Sequence, residues 1–319
     1  MHMADALVSP AVAGVAGAAA ITLIGVASHK VKSIKREDIV PLMGVMGAFI
    51  FAAQMINFSI PGTGSSGHII GGVLLAALMG PWAAFLTLTS VLIIQCLIFA
   101  DGGLMALGCN IINMAAMSCL VAYPLVYRPV AGSSLSKWRL ASAAIAACVV
   151  GLEAGALAVT AETELSGVTA LPANDFLALM TSIHLAIGLC EGIATALVIS
   201  FVVSYKPDIL FSMQPNGVAS PSEDGKMSKK TKTVLWSFAA VALVLAIGFT
   251  WIASGNPDGL EWSIAKITGN TELGAATIPS TAFIPDYDST FAGIIGGVIV
   301  MVMLWCICAL LFRRKKKLA

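Results

Sequence analysis

Charge is what this sequence has least of. Only 11% of its 319 residues are Asp, Glu, Lys or Arg, against roughly 25% in an average soluble domain. Hydrophobic residues make up 58%, and mean hydropathy is +0.92. Such a composition cannot cover a water-exposed surface, so the chain reads as an all-α, polytopic integral membrane protein with the lipid bilayer as its solvent. A net charge of +1 leaves no excess of either sign to attract nucleic acid. The phosphate-binding pattern G-x-x-x-x-G-K-[ST] is missing, so any energy from ATP must come from a partner. No nucleophile has a recognisable base near it, which argues against an enzyme, and no enzymatic cofactor is implied. Cys96, Cys109, Cys119, Cys148, Cys190, Cys306 and Cys308 all sit in apolar runs, where they act as small hydrophobes rather than as a disulfide framework.

The few cations that are present set the orientation. They cluster at Lys30 to Arg36, at Arg128 to Arg139, at Lys206, at Lys226 to Lys232 and in the tail Arg313 to Lys317, and the positive-inside bias places all five on the cytoplasmic face. Apolar runs at 8–28, 39–56, 69–80, 82–99, 104–127, 138–160 and 176–203 then give seven passes, and 234–253 and 291–312 add two, nine in all. The third run is too short to span ~30 Å at 1.5 Å per residue, so it reads as a partial helix leaving a re-entrant loop. Residues 208–233, rich in Pro, Ser, Gly and Lys, form a cytoplasmic linker between a module at 1–207 and one at 234–319, whose external loop covers 254–290. Met1 and His2 fall on the outer face. The first segment lacks the basic start of a signal peptide, and a bulky second residue leaves the initiator Met in place.

A histidine at position two offers a metal site that an internal histidine cannot. The Met1 amine, the His2 amide nitrogen and the His2 imidazole close one five-membered and one six-membered chelate ring around a single ion. A planar four-nitrogen set suits Ni(II) or Cu(II), whereas Zn(II) favours a tetrahedron. The best fourth donor is His68, in the glycine-rich loop Ser59-Ile-Pro-Gly-Thr-Gly-Ser-Ser-Gly-His68-Ile-Ile-Gly-Gly on the same predicted face. Thr63, Ser65 and Ser66 are expected to satisfy the orphan amides of that loop. Asn110 and Asn113 share a helix face and read either as supports of the site, with Ser66 beside them, or as amide pairs between helices, as does Gln95.

These residues resemble a known family, the membrane substrate-binding (S) components of nickel and cobalt energy-coupling-factor transporters. The resemblance rests on Met1-His2 with Ala6-Leu-Val-Ser-Pro10, on Gly62 to Gly72, and on Asp101-Gly-Gly with Asn110-Ile-Ile-Asn-Met114. It covers residues 1 to about 210. The remainder, two helices around Pro257-Asp-Gly-Leu-Glu-Trp262, is similar to the small accessory component of the same systems. The resemblance implies a seven-helix bundle fused to a two-helix module, with Met1, His2 and His68 as metal ligands. It implies a membrane coupling (T) subunit and two cytoplasmic ABC-type ATPases as partners, in a bacterial or archaeal plasma membrane. The chain departs from the family start, which often reads Met-His-Ile-Pro with a Glu-Gly pair, and Asp5 is given no role.

Glu153, His184 and Glu191 lie in predicted spans, where ionisable groups turn inward. The first expectation is that they join helices, with a metal path or proton relay as the other reading. His29 belongs to the solvated inner rim. Asp258, Glu261, Glu272, Asp286 and Asp288 could form an acidic apron that concentrates cations. The expected function is the metal-recognition subunit of an ATP-driven importer of Ni(II) or Co(II), the latter feeding cobalamin synthesis. A proton-coupled secondary permease is the alternative.

Overall fold

The computed structural model describes residues 1–34, 36, 38–211, 227–248, 253–271, 273 and 290–313. Most of the expected linker, the acidic positions Glu272, Asp286 and Asp288, and the basic tail beyond Arg313 lie outside the described residues.

Long apolar runs become helices. They are α1 (Pro10–Lys32), α2 (Ile39–Gln54), α3 (Gly72–Met79), α4 (Pro81–Phe99), α5 (Leu107–Asn110), α6 (Arg128–Ala131), α7 (Lys137–Ser166) and α8 (Ala173–Tyr205), followed by α9 (Lys229–Gly248), α10 (Gly259–Thr268) and α11 (Thr290–Arg313). The first is started by Ser9, whose hydroxyl accepts from Val12 N, with Pro10 at the first helical position. A π-helical stretch, Ile111–Tyr127, carrying Pro124, joins α5 to α6, so 107–131 is one continuous span. Among the described residues seven helices are long and apolar enough to cross a membrane, and the chain is an all-α, polytopic membrane protein. At 16 residues, α2 is about 24 Å long, short for a crossing.

The third run is, as expected, partial. Eight residues of α3 are buried throughout, about 12 Å of helix inside the bundle. The loop before it is a hairpin, β1 (Phe58–Ile60) paired antiparallel with β2 (Ser65–Gly67), with Ser59 opposite Ser66. Gly62 and Gly64 turn it with positive φ.

The seams depend on small residues, which let backbones come close. A side chain at Gly188 or Gly192 of α8 would meet the α7 backbone at 2.9 and 2.6 Å, and α7 and α8 form the most extensive helix pair. The two C-terminal helices are not a separate body. Helix α11 lies along α2 and α9, where a side chain at Gly47 would meet Leu304 at 2.5 Å. One element was not foreseen. Within the described part of the expected external loop, Gly259–Thr268 forms α10, which packs on α8 and β2.

Candidate metal centre

Three segments converge at one end of the bundle: the N-terminal residues, the hairpin with the backbone that follows it, and the start of α10. Each is tied to its neighbours by hydrogen bonds from distant residues.

The N-terminal segment is clamped through Met3. Asn110 accepts from Met3 N at 2.8 Å and donates to Met3 O at 3.2 Å, while Gly103 N also donates to Met3 O. Asn113 reaches Met3 Sδ at 3.5 Å and donates to Glu162 at 2.6 Å. Asp5, given no role from sequence, accepts from Ala106 N at 3.0 Å and packs so closely that a side chain at Gly103 would strike it. Met1 is 3% exposed, and its thioether fills the space that Gly155 of α7 leaves open.

The backbone after His68 runs non-helically through the interior, where an unpaired amide or carbonyl costs roughly 1–3 kcal/mol. Its groups find partners on three different elements. Ile70 N and Gly71 N both donate to the Glu191 carboxylate of α8, each at 2.9 Å. Ile70 O accepts from Gln54 of α2 at 3.0 Å, and Gly72 O accepts from Cys119 at 3.5 Å. This corrects the expectation that hydroxyls serve these amides. Thr63 does accept from Ser65 N at 3.1 Å, but Ser66 donates its hydroxyl to Asn256 O at 2.8 Å. The hairpin hydroxyls hold the neighbouring loop, because the amides that need partners lie beyond them, at the depth of α8.

The motif Pro257-Asp-Gly-Leu-Glu261 can be read residue by residue. Pro257 O accepts from Ser66 N at 2.8 Å. Asp258 Oδ1 accepts from Leu260 N and Glu261 N, and Glu261 accepts from Asp258 N, a complete capping box. Gly259 lets α10 approach α8 closely, since a side chain there would meet His184 and Ile187 at 3.0 Å. Trp262 donates to Thr63 O at 2.9 Å. The second oxygen of Asp258 takes the Met1 amine at 2.5 Å. Asp258 and Glu261 are therefore a helix cap and an ion pair, not part of an open acidic apron.

The candidate ligands meet where these segments join. His2 and His68 stack with ring centroids 5.2 Å apart and 19° between planes. His2 Nδ1 lies 3.2 Å from Asp101 Oδ1. Burial lowers the affinity of His2 for a proton, and the nearby Asp101 only partly offsets this. Burial also holds His68 well below the usual histidine range, helped by the Met1 amine and by His2. Burial would raise the Asp258 carboxyl, but the amine and His68 beside it hold it well below the usual range. The outcome is two neutral imidazoles and an amine paired with a carboxylate. Among the described residues no group of three or more His, Cys, Asp or Glu forms a conventional metal cage.

Of the ionisable residues of the spans, His184 borders this cluster and Glu191 holds the backbone behind His68. His184 Nδ1 bonds Met180 O at 2.7 Å, which leaves its other edge against Gly259. Glu153 is half-buried on α7, and His29 is exposed at the end of α1. Sequence reasoning missed Asp258 as a partner of the amine. The D-x-x-E spacing before an apolar stretch was the available signal.

Residues 2–209 match the family described as the cobalt uptake substrate-specific transmembrane region, and residues 232–313 match the PDGLE domain. Over 317 residues the chain is 31% identical to a putative fused nickel transport protein of Archaeoglobus fulgidus, covering 95% of this chain and 96% of that one. A fused nickel transport protein of Rhodobacter capsulatus is 29% identical, with 96% and 86% covered. A solved structure described as a truncated transition metal transporter is 37% identical and superposes with a TM-score of 0.55. It covers 64% of this chain and 99% of its own.

Proposed function

Because the chain belongs to the family of the cobalt uptake substrate-specific transmembrane region and carries a PDGLE domain after it, we propose that it is the metal-recognition subunit of an ATP-driven Ni(II) importer. It is a multi-pass membrane transport protein and not an enzyme, and its relatives are named for nickel and cobalt. The ion binds at the Met1 amine, the His2 amide and imidazole nitrogens, and the His68 imidazole. The single observation that carries this reading is that Met1 and His2, 67 and 66 positions before His68 in sequence, lie beside it, with Met1 and His68 buried and the two histidine rings stacked. The amide nitrogen has to lose its proton to bind, and a planar nitrogen set favours Ni(II) over Co(II). The Asp258 and Asp101 carboxylates contact the amine and the ring, the groups the ion must take over.

The binding end faces outward and the basic ends face the cytoplasm, following the distribution of Lys and Arg. With no phosphate-binding motif in the sequence, ATP hydrolysis falls to separate ATPases acting through a membrane coupling subunit. Proton-coupled permeation is the weaker reading, because Glu191, its best carboxylate, is engaged by two backbone amides.

Replacing His2 with alanine leaves His68 in place but removes the imidazole that closes the six-membered chelate ring. Ni(II) binding by the full-length chain, measured calorimetrically, should collapse. Unchanged binding sinks the N-terminal site.

A further inference from the structure

Two glutamines on different helices connect the His68 segment to His2. Gln54, at the end of α2, donates its amide nitrogen to Ile70 O at 3.0 Å. Its oxygen accepts from the Gln95 amide nitrogen, on α4, at 2.7 Å. Gln54 is 3% exposed and Gln95 is 0% exposed, so neither can exchange these partners for water at little cost. The Gln95 side chain neighbours the His2 ring, and among the described residues His2 Nε2 is buried without a hydrogen-bond partner.

The relay has a direction, and a backbone atom sets it. A peptide carbonyl only accepts, so Gln54 must present its NH2 to Ile70 and its oxygen to Gln95. Gln95 must then present its NH2 to Gln54, which turns its oxygen toward His2. An imidazole facing a carbonyl oxygen has to offer an N–H. In the chelate of one five-membered and one six-membered ring, the ligating atom of His2 is Nδ1, so the proton sits on Nε2. Metal-bound histidines generally donate their second ring N–H to an acceptor that fixes tautomer and ring plane.

We propose that Gln95 is a positioning residue for His2: its oxygen, aimed by the relay from Ile70 through Gln54, accepts the Nε2 proton and leaves Nδ1 as the lone pair for the ion. The relay also links the two histidines. Ile70 is two residues after His68, so a displacement of that segment is passed to the His2 ring through two amide side chains. Asp101 competes for the same ring from the Nδ1 side, 3.2 Å away, and the ion has to take that nitrogen from it.

This inference rests on the N-terminal site proposed above, and the test separates the two. Ni(II) binding and thermal unfolding are measured on the full-length chain in detergent for Gln95→Leu, Gln95→Glu, Gln54→Leu and His2→Ala. Gln95→Leu should weaken Ni(II) binding by roughly 10- to 100-fold, and Gln54→Leu by less. Gln95→Glu keeps an acceptor for His2 but cannot donate to Gln54. It should regain most of the affinity while unfolding at as low a temperature as Gln95→Leu. Wild-type affinity in Gln95→Leu, with binding abolished by His2→Ala, overturns the inference and leaves the site standing. Affinity that simply follows unfolding temperature across the glutamine variants also overturns it, since a packing role alone would do that. Wild-type affinity in His2→Ala overturns the site itself.

Discussion

The two backbone segments that carry the candidate ligands are held in opposite ways. The segment after His68 is fixed from the core: Glu191, Gln54 and Cys119 each take one or two of its polar groups, and Gly71 and Gly72 sit where any side chain would collide with Ile50 or Ser118. Met1 and His2 are held less completely. Met3 behind them is clamped by Asn110, but the amine and the ring nitrogen are engaged by carboxylates, Asp258 and Asp101, that an arriving cation can replace. One ligand is thus built in place, and the others are held ready by partners of like charge to each other and opposite charge to the ion. A site that must both bind and release its ion gains from having one rigid wall and one movable one.

The largest test of that contrast is to break the rigid wall. Glu191→Leu strands two buried amides at about 1–3 kcal/mol each, so a substantial fall in thermal stability is expected, together with loss of Ni(II) binding. A Glu191→Leu protein as stable as wild type would remove the distinction between the walls. Weakening the movable wall should act on binding alone. Asn110→Ala takes away both hydrogen bonds to Met3, and calorimetry should show a 10- to 100-fold loss of Ni(II) affinity with little change in unfolding temperature.

Acid should act on the stability of the metal-free protein through His68. Its folded proton affinity is depressed, so the unfolded chain binds the extra proton first. Stability is then unaffected well above pH 6.5 and falls as pH drops below about 6.5, by at most ~1.4 kcal/mol per pH unit for one group. A pH series of melting curves should show that slope in the wild type and a shallower one in His68→Asn. The smallest effect is expected at the ion pair. Asp258→Asn keeps a good helix cap but frees the amine from its carboxylate, and equilibrium Ni(II) affinity should rise by a few-fold, on the order of 1 kcal/mol. A fall in affinity would mean that Asp258 helps to hold the ion rather than competing with it.

Much of this was visible in the chain. Runs of apolar residues mark helices because the bilayer leaves the backbone no other partner, and the 12 residues at 69–80 were too few to cross, which α3 bears out. The turn of the hairpin could be read from Gly62 and Gly64, although its pairing could not. Helix α10 was missed because a ten-residue amphipathic helix in a polar loop carries a weak periodic signal, and its cap was read as loose acidity. The role of Glu191 was also hidden. A carboxylate in a span signals an inward-facing group, but not that two amides 120 residues away would be its partners.

By itself the sequence determined the class of molecule and the donors on offer. Composition decides solvent, and a histidine at position two decides chelate ring size, since both follow from covalent structure and local chemistry. Only the tertiary structure decided which groups meet. It brought the Asp258 carboxylate to the Met1 amine, tied Gln54 to both Ile70 O and Gln95, and gave Glu191 to a backbone rather than to a proton path. Each of those pairings is a long-range contact whose stability comes from burying polar groups that have no water to turn to, and that requirement is met in three dimensions, not along the chain.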